Sequence, residues 1–452
     1  MREWITPWAL AAVCVIAPAA CADGPGDIRW RTVLESTADG VCHAMTATDT
    51  GGYVVVGSVP RRTVASLYIA IVDADGRVVV ERTVGNDVEV ISGQSVARCP
   101  DGGYVIAGSR MSHAEMTARD LYLGKINADA VPQWQVTSGG ALDDASRCVI
   151  CTSDGGYAVA GESFSFGPYK MQVYLVRFDA SGRRLWQKTY GGYLNDQALS
   201  LCETADGGFL LAGRTQSLGD QRDDVYLIRT DAAGGLLWQH ALGGAGADSA
   251  CHVEPTSDGG YIVAGTITPV PALDSDFYVV KLDAAFAIQW TNTYDAGDME
   301  TCQGLRRCRG GGYVLVGTKG TGMAADAWVV RIDSAGTRLW DAVCGGSAAD
   351  SAVGILRCSD TGCTILGNTN SFGGFDRSAG YLTHTAPDVI APADFDFNGA
   401  VNLFDFAIFA ATWRAEPRQA GYNADCDIAL DGDPVVNAAD MAEFARHYLT
   451  ER

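Results

Sequence analysis

Asp206-Gly207-Gly208-Phe209 is one of seven copies of a single short phrase. The copies end at Tyr53, Tyr104, Tyr157, Phe209, Tyr261, Tyr313 and Cys363, at intervals of 51, 53, 52, 52, 52 and 50 residues. A repeat this regular, at about 50 residues, points to a radial or stacked architecture rather than one enzyme-type core. The 54 glycines of this 452-residue chain then belong to turns between many short strands.

The unit from Gln187 to Trp238 shows the grammar. Ala198–Cys202 reads as a short strand of apolar and small residues, and Ala205-Asp-Gly-Gly208 as a turn whose glycines are free to take positive φ. Phe209–Gly213 is a continuous apolar run, as in a strand buried on both faces. Asp224–Thr230 alternates more, Asp231-Ala-Ala-Gly234 is a second tight turn, and Leu236–His240 is a fourth strand. Four antiparallel strands per unit, seven times, with no helical stretch between them, predict an all-β fold: a seven-bladed β-propeller over residues 27–386.

The tryptophans carry the ring argument. Trp134, Trp186, Trp238, Trp290 and Trp340 share one register, Val80 stands there in the first unit, and Trp30 lies 104 residues before Trp134. The last unit stops at Tyr381–Thr385 without a tryptophan strand of its own, so the strand around Trp30 is expected to complete the seventh blade and hide its edges. The segment Arg229–Trp238 resembles the tryptophan-docking motif of quinoprotein-type propellers. With Thr189–Gly192 and Asp206–Phe209, the whole unit resembles the repeats of secreted bacterial propeller proteins. That resemblance implies a fold and little about activity, since one propeller hosts many functions.

The formal charge of −21 disfavours a nucleic-acid partner, which requires basic patches. Residues 1–22 read as a signal peptide, with Arg2 in the n-region, an apolar stretch Ile5–Ala19 and a small-x-small site at Ala20-Cys21-Ala22. Cys21 is the alternative, as a lipid-anchored residue. No later run of 18 or more apolar residues occurs, so no transmembrane segment is expected, and the propeller is expected to be a monomer that is secreted or displayed at the cell surface. Twelve further cysteines would enter an oxidising compartment, where some pair. Cys358 and Cys363 flank one turn, and Cys148-x-x-Cys151 reads either as a redox or zinc half-site or as small residues packed on an inner strand.

Ten residues after each register tryptophan stands an acid: Asp144, Asp196, Asp248, Glu300 and Asp350. Two readings compete. The five ring one mouth of the central channel as a cation or polyol site, or each accepts N–H bonds within its own turn. Because they repeat with the fold, the turn role is expected. Active sites need unlike residues in unlike roles and so break symmetry. His43 and His252 each follow a cysteine on an inner strand but lie far apart in the ring, whereas a metal site needs convergent ligands. No sequence mark of a catalytic residue is present, and no cofactor other than calcium is expected.

After a linker over 387–393 the periodicity changes. Asp394, Asp396, Asn398, the backbone of Ala400, Asn402 and Asp405 supply oxygen ligands at the spacing of an EF-hand-like loop, with Gly399 at the bend. Asn437–Asp440 repeats Asn402–Asp405 35 residues on, and Asp427, Asp433, Asn437 and Asp440 are the ligands expected of a second, less regular loop. A loop followed directly by a helix, and then duplicated, resembles a dockerin over 394–452. The resemblance implies calcium binding and docking onto a cohesin-bearing scaffold, commonly beside polysaccharide-degrading enzymes. The expected function is therefore a secreted, non-catalytic propeller that binds a glycan or protein. The alternatives are a polysaccharide hydrolase or lyase with its site on one propeller face, and a periplasmic assembly factor.

Overall fold

In the computed structural model the described residues are 15–16, 28–34, 37 and 39–385, apart from short stretches at 62–63, 87, 113–117, 168–169, 272–273, 309–310, 360–361 and 372–377. They form seven antiparallel sheets, one per repeat. The fold is all-β, with a short helical turn at Gly322–Ala324. The expected signal peptide over 1–22, except for Val15–Ile16, lies outside the described residues, as do the linker and the dockerin-like module.

Blade one comprises Val41–Ala47, Tyr53–Arg61, Val64–Val72 and Val78–Val84. Blade four, taken here as the reference unit, comprises Asp196–Glu203, Phe209–Thr215, Asp224–Thr230 and Leu236–Leu242. Each blade pairs its strands in chain order. Blade seven draws its fourth strand from the start of the chain. Ile28–Leu34 pairs antiparallel with Ala379–Thr385, and Val15–Ile16 adds two more residues beyond it. First strand touches first strand around the molecule, and Asp350–Ser359 of blade seven touches Val41–Ala47 of blade one. The Cys42 N–H donates to Asn368 Oδ1 at 2.8 Å across that junction.

The core lies between neighbouring sheets. Leu210, Val225 and Leu227 of blade four pack on Val253, Tyr261 and Val263 of blade five. Leu366 and Leu382 of blade seven pack on Tyr53, Val55 and Tyr68 of blade one. The second strands bury both faces, as at Phe209–Ala212, so they read as unbroken apolar runs. Each such side chain contributes about 1.5–3 kcal/mol through burial. Every first strand also carries one bulge at the same place, at His43, Gln94, Arg147, Leu199, Cys251, Gln303 and Val353. An extra residue bends and twists a strand, which suits the edge where seven sheets converge.

The register tryptophans link blades. Trp186 in blade three packs on the turn of blade four, where Gly234 has φ +76° and a Cβ would come within 2.8 Å of the indole. Trp30 in blade seven makes the same contact with Gly76 of blade one, at 2.6 Å. Within its own blade each tryptophan lies opposite a basic residue of the third strand: Lys125, Arg177, Arg229, Lys281, Arg331 and, for Trp30, His384. Blade one has Ile71 opposite Val80. The basic residue and the tryptophan are therefore present or absent together.

Candidate functional site

Strand direction sorts the loops onto two ends. Turns from first to second and from third to fourth strands share one end, the turn end. Connections from second to third strands, and from each blade to the next, share the other, the loop end.

At the turn end the repeated phrase is explained by ion pairing. Lys125 Nζ reaches Asp101 at 2.7 Å, Lys281 Nζ reaches Asp258 at 2.7 Å, and Arg229 Nη2 reaches Asp206 Oδ2 at 2.6 Å. Arg177 makes the same contact with Asp154. The basic residue is buried and the aspartate half-exposed, so each pair caps a turn with its anionic end in water. In the other turn of each of the first six units Asp73, Asn127, Asp179, Asp231, Asp283 and Asp333 each accept N–H bonds from the residues two and four further on. The strong Asp and Gly signature is therefore turn chemistry.

At the loop end the five register acids are buried, and each bonds within its own connection. Gly140 N–H donates to Asp144 at 2.7 Å, Gly192 to Asp196 at 2.9 Å, Gly244 to Asp248 at 2.8 Å, Ala296 to Glu300 at 3.3 Å and Gly346 to Asp350 at 2.8 Å. Ser165, Ser217 and Ser371 hydroxyls add bonds of 2.6–2.8 Å to Asp144, Asp196 and Asp350. These are bonds of the kind a turn role requires.

A second acid, invisible to the tryptophan register, stands beside most of them. Asp120 neighbours Asp144, Asp224 neighbours Asp248, Asp276 neighbours Glu300, and Asp326 neighbours Asp350. In each case the acid at the start of the third strand is held above the usual carboxylate range, by burial first and then by neighbouring carboxylates. Gln172 takes this place beside Asp196 and donates to Gly192 O at 3.1 Å, as a protonated acid would. The chain passes close here. A Cβ on Gly139, Gly191, Gly243 or Gly345 would overlap these side chains. The fifth junction differs, because Asp295 stands where the others have glycine. Oxygens of Asp276, Asp295 and Glu300 lie within 4.8 Å of one another. Asp276 is pushed up to about 6, by burial and then by Asp295 and Asp274. Burial, opposed by the Ala296 and Asp298 N–H groups, raises Glu300. The signal for this cluster was present in the sequence, as Tyr294-Asp-Ala where other units read Tyr190-Gly-Gly.

Among the described residues the histidines do not converge. His43 is lowered to about 4 by burial and then by Arg147. His252 Nε2 lies 3.0 Å from Arg306 Nη1, which donates to Glu254 at 3.0 Å. Burial lowers His252, whose Nε2 also lies 3.6 Å from Glu254, in an ion-paired bridge between blades five and six. Of the Cys148-x-x-Cys151 pair, Cys151 meets Cys99 of the previous blade instead, with sulfurs 3.0 Å apart. Contact with Cys151, opposed by burial and helped by Lys125, lowers Cys99 to about 7. Cys358 and Cys363 stand opposite each other in register.

The exposed large apolar residues of the connections gather at the loop end. Leu142, Tyr193 and Met299 lie between blades, and Phe164, Val270 and Met323 lie between second and third strands. Tyr193 and Met323 are 75% and 80% exposed.

The calcium ligands expected at Asp394, Asp396, Asn398, Ala400, Asn402, Asp405, Asp427, Asp433, Asn437 and Asp440 lie outside the described residues. No helix among the described residues is long and apolar enough to cross a membrane.

No protein family matches the sequence, and no curated protein matches it. Among solved structures the chain is similar to the Neurospora crassa Pan2 WD40 domain, at 12% identity over 78% of this chain and 90% of that one, with a TM-score of 0.48. It is similar to YCF48 bound to D1 peptide at 13% identity over 82% and 97%, with a TM-score of 0.49. It is also similar to puromycin hydrolase at 16% identity over 74% and 51%, with a TM-score of 0.46.

Proposed function

We propose that this chain is an exported, non-catalytic binding propeller. Its loop end meets a protein or glycan partner, and its C-terminal dockerin-like module, folded around calcium, tethers it to a cohesin-bearing scaffold. The observation that carries the binding role is the set of apolar side chains that the loop end leaves in water, Tyr193 and Met323 above all. Buried aromatic and methionine anchors dominate the energetics of recognition surfaces. The five register acids of the same end accept N–H bonds within their own loops, which suits a structural role for them better than a pair poised for glycoside hydrolysis.

The test is a glycan-array and protein-binding screen, run beside a polysaccharide-depolymerisation assay on the mature chain. Binding that Tyr193→Ala and Met323→Ala weaken, with no product released, is the expected result. Product release that one asymmetric carboxylate substitution abolishes overturns the reading. Tethering is tested separately by proteolysis of the tail with and without chelator. Asp394→Ala with Asp405→Ala is expected to mimic chelation, and equal protection in both conditions removes the calcium role of the module.

A further inference from the structure

Four junctions between blades bring two acids, or an acid and an amide, together under a glycine. The junction of blades five and six brings three carboxylates together. We propose that Asp276, Asp295 and Glu300 form a site for a hard divalent cation of the calcium class, separate from the C-terminal module.

Two carboxyls side by side can share a proton, since like charges that close cannot both ionise cheaply. That accounts for the paired junctions, and Gln172 shows the same place filled by a group that never ionises. It does not account for a third carboxylate. Asp295 is exposed, while Asp276 is 8% exposed and Glu300 fully buried, so the cluster has one open side. The Oδ1 atom of Asp276 is buried without a hydrogen-bond partner. A buried carboxylate oxygen left unbonded is costly, and a cation that enters from the Asp295 side would satisfy it. Lys319, opposite Glu300 in register, has its Nζ committed to Ala296 O at 2.9 Å and lies 3.8 Å from Asp298.

The donor set selects the ion. All three ligands are carboxylate oxygens, which suit calcium, magnesium or manganese rather than zinc or copper. Ligand atoms within 4.8 Å of one another fit around an ion with metal–oxygen distances of about 2.3–2.6 Å. The open side admits the waters that complete a coordination number of about 6–8. Glu300, where four other units have Asp, lengthens one arm of the site, and Asp295 replaces a glycine. Both departures from the repeat fall on one junction and add reach and charge there.

The experiment uses calcium itself and the full mature chain carrying Asp394→Ala, Asp405→Ala, Asp427→Ala and Asp440→Ala, which silences the module. Isothermal titration calorimetry is expected to find calcium bound by this chain. Adding Asp295→Gly or Asp276→Gln is expected to weaken it at least about tenfold. Each of these two changes installs a residue that this fold already uses at the same place in another unit, so folding is expected to survive and is checked by circular dichroism. Absence of calcium binding at millimolar concentration overturns the proposal. So does binding that neither substitution weakens. A failed glycan or protein screen leaves the proposal intact, since it does not depend on the propeller having a partner.

Discussion

At the turn end of the propeller, successive blades repeat one another almost residue for residue: an aspartate paired with a buried Lys or Arg, a glycine at positive φ, and a tryptophan seated on the next blade's turn. At the loop end the buried acids repeat, but the connections around them vary in length, charge and apolar content. The same strands feed both ends. One end holds the ring of contacts together, which rewards sameness. The other meets solvent with unlike side chains, which is what specific recognition requires. Substitutions at the turn end should therefore cost stability, and those at the loop end should cost binding.

The largest stability effect is expected at the turn end, from Cys99 and Cys151. Their sulfurs are 3.0 Å apart, and contact with Cys151, helped by Lys125, holds the Cys99 thiol below its usual range. Exchange with glutathione disulfide would join the two sulfurs and release two molecules of glutathione. A link across 52 residues is expected to stabilise by up to about 4 kcal/mol. Peptide mapping without reductant, with thermal unfolding before and after oxidation, checks this. A Cys99→Ser variant should show no gain.

Next is a matched pair of glycines. Gly234→Ala forces a Cβ at φ +76° to within 2.8 Å of Trp186, and is expected to cost about 2–3 kcal/mol. Gly244→Ala at the loop end meets nothing within 4 Å and is expected to cost under about 1 kcal/mol. Equal losses in denaturant unfolding would break the contrast. A third test asks whether the basic residue and the tryptophan act as one unit. Arg229→Ile and Trp238→Val each remove half of a pair, and together they install the Ile71–Val80 pair of blade one. The double variant is expected to lose less than the sum of the singles, by about 0.5–1.5 kcal/mol, in a double-mutant cycle.

How much of this was legible in the sequence differs between the two ends for the same reason. The turn end was readable because period 52 overlays one blade on the next, so Asp206, Gly234 and Trp238 announced themselves by recurrence. Recurrence also marked the strand around Trp30 as the missing one of blade seven, and Ile28–Leu34 pairs there. The basic residues Lys125, Arg177, Arg229, Lys281 and Arg331 share the tryptophan period but hide in apolar runs, and only pairing puts them opposite the indoles. Asp276 and Asp295 went unread because one starts a third strand and the other stands in the connection after the fourth. Their meeting depends on a close chain approach at the loop end, which spacing does not encode. Cys151 was read against Cys148, its neighbour in sequence, although its partner lies one blade away.

Acid pH should probe the turn-end pairs with a smaller effect. Burial raises Asp258, but the Lys281 ammonium, the Thr256 hydroxyl and the Gly260 N–H outweigh it and hold the carboxyl at about 2. A lowered carboxyl stabilises the fold above its unfolded value of about 3.9, and that contribution is lost as pH falls through about 2. Asp258 is 51% exposed, so solvent screening keeps the effect below about 1 kcal/mol. Asp258→Asn is expected to lower stability slightly at and above about pH 5, where the pair is intact, and to flatten the profile between about pH 4 and pH 2 relative to the parent.

The smallest stability effect is expected where the binding effect is greatest. Tyr193 and Met323 project from the loop end with most of their surface in water, so truncation removes little packing. Tyr193→Ala and Met323→Ala are expected to shift unfolding by no more than about 0.5 kcal/mol. If either residue anchors a partner, its loss should weaken binding by more than about 1 kcal/mol. A variant that unfolds like the parent and binds like the parent would remove that residue from the interface. One that unfolds early would show that the loop end, too, holds the ring together, and the distinction between the two ends would fail.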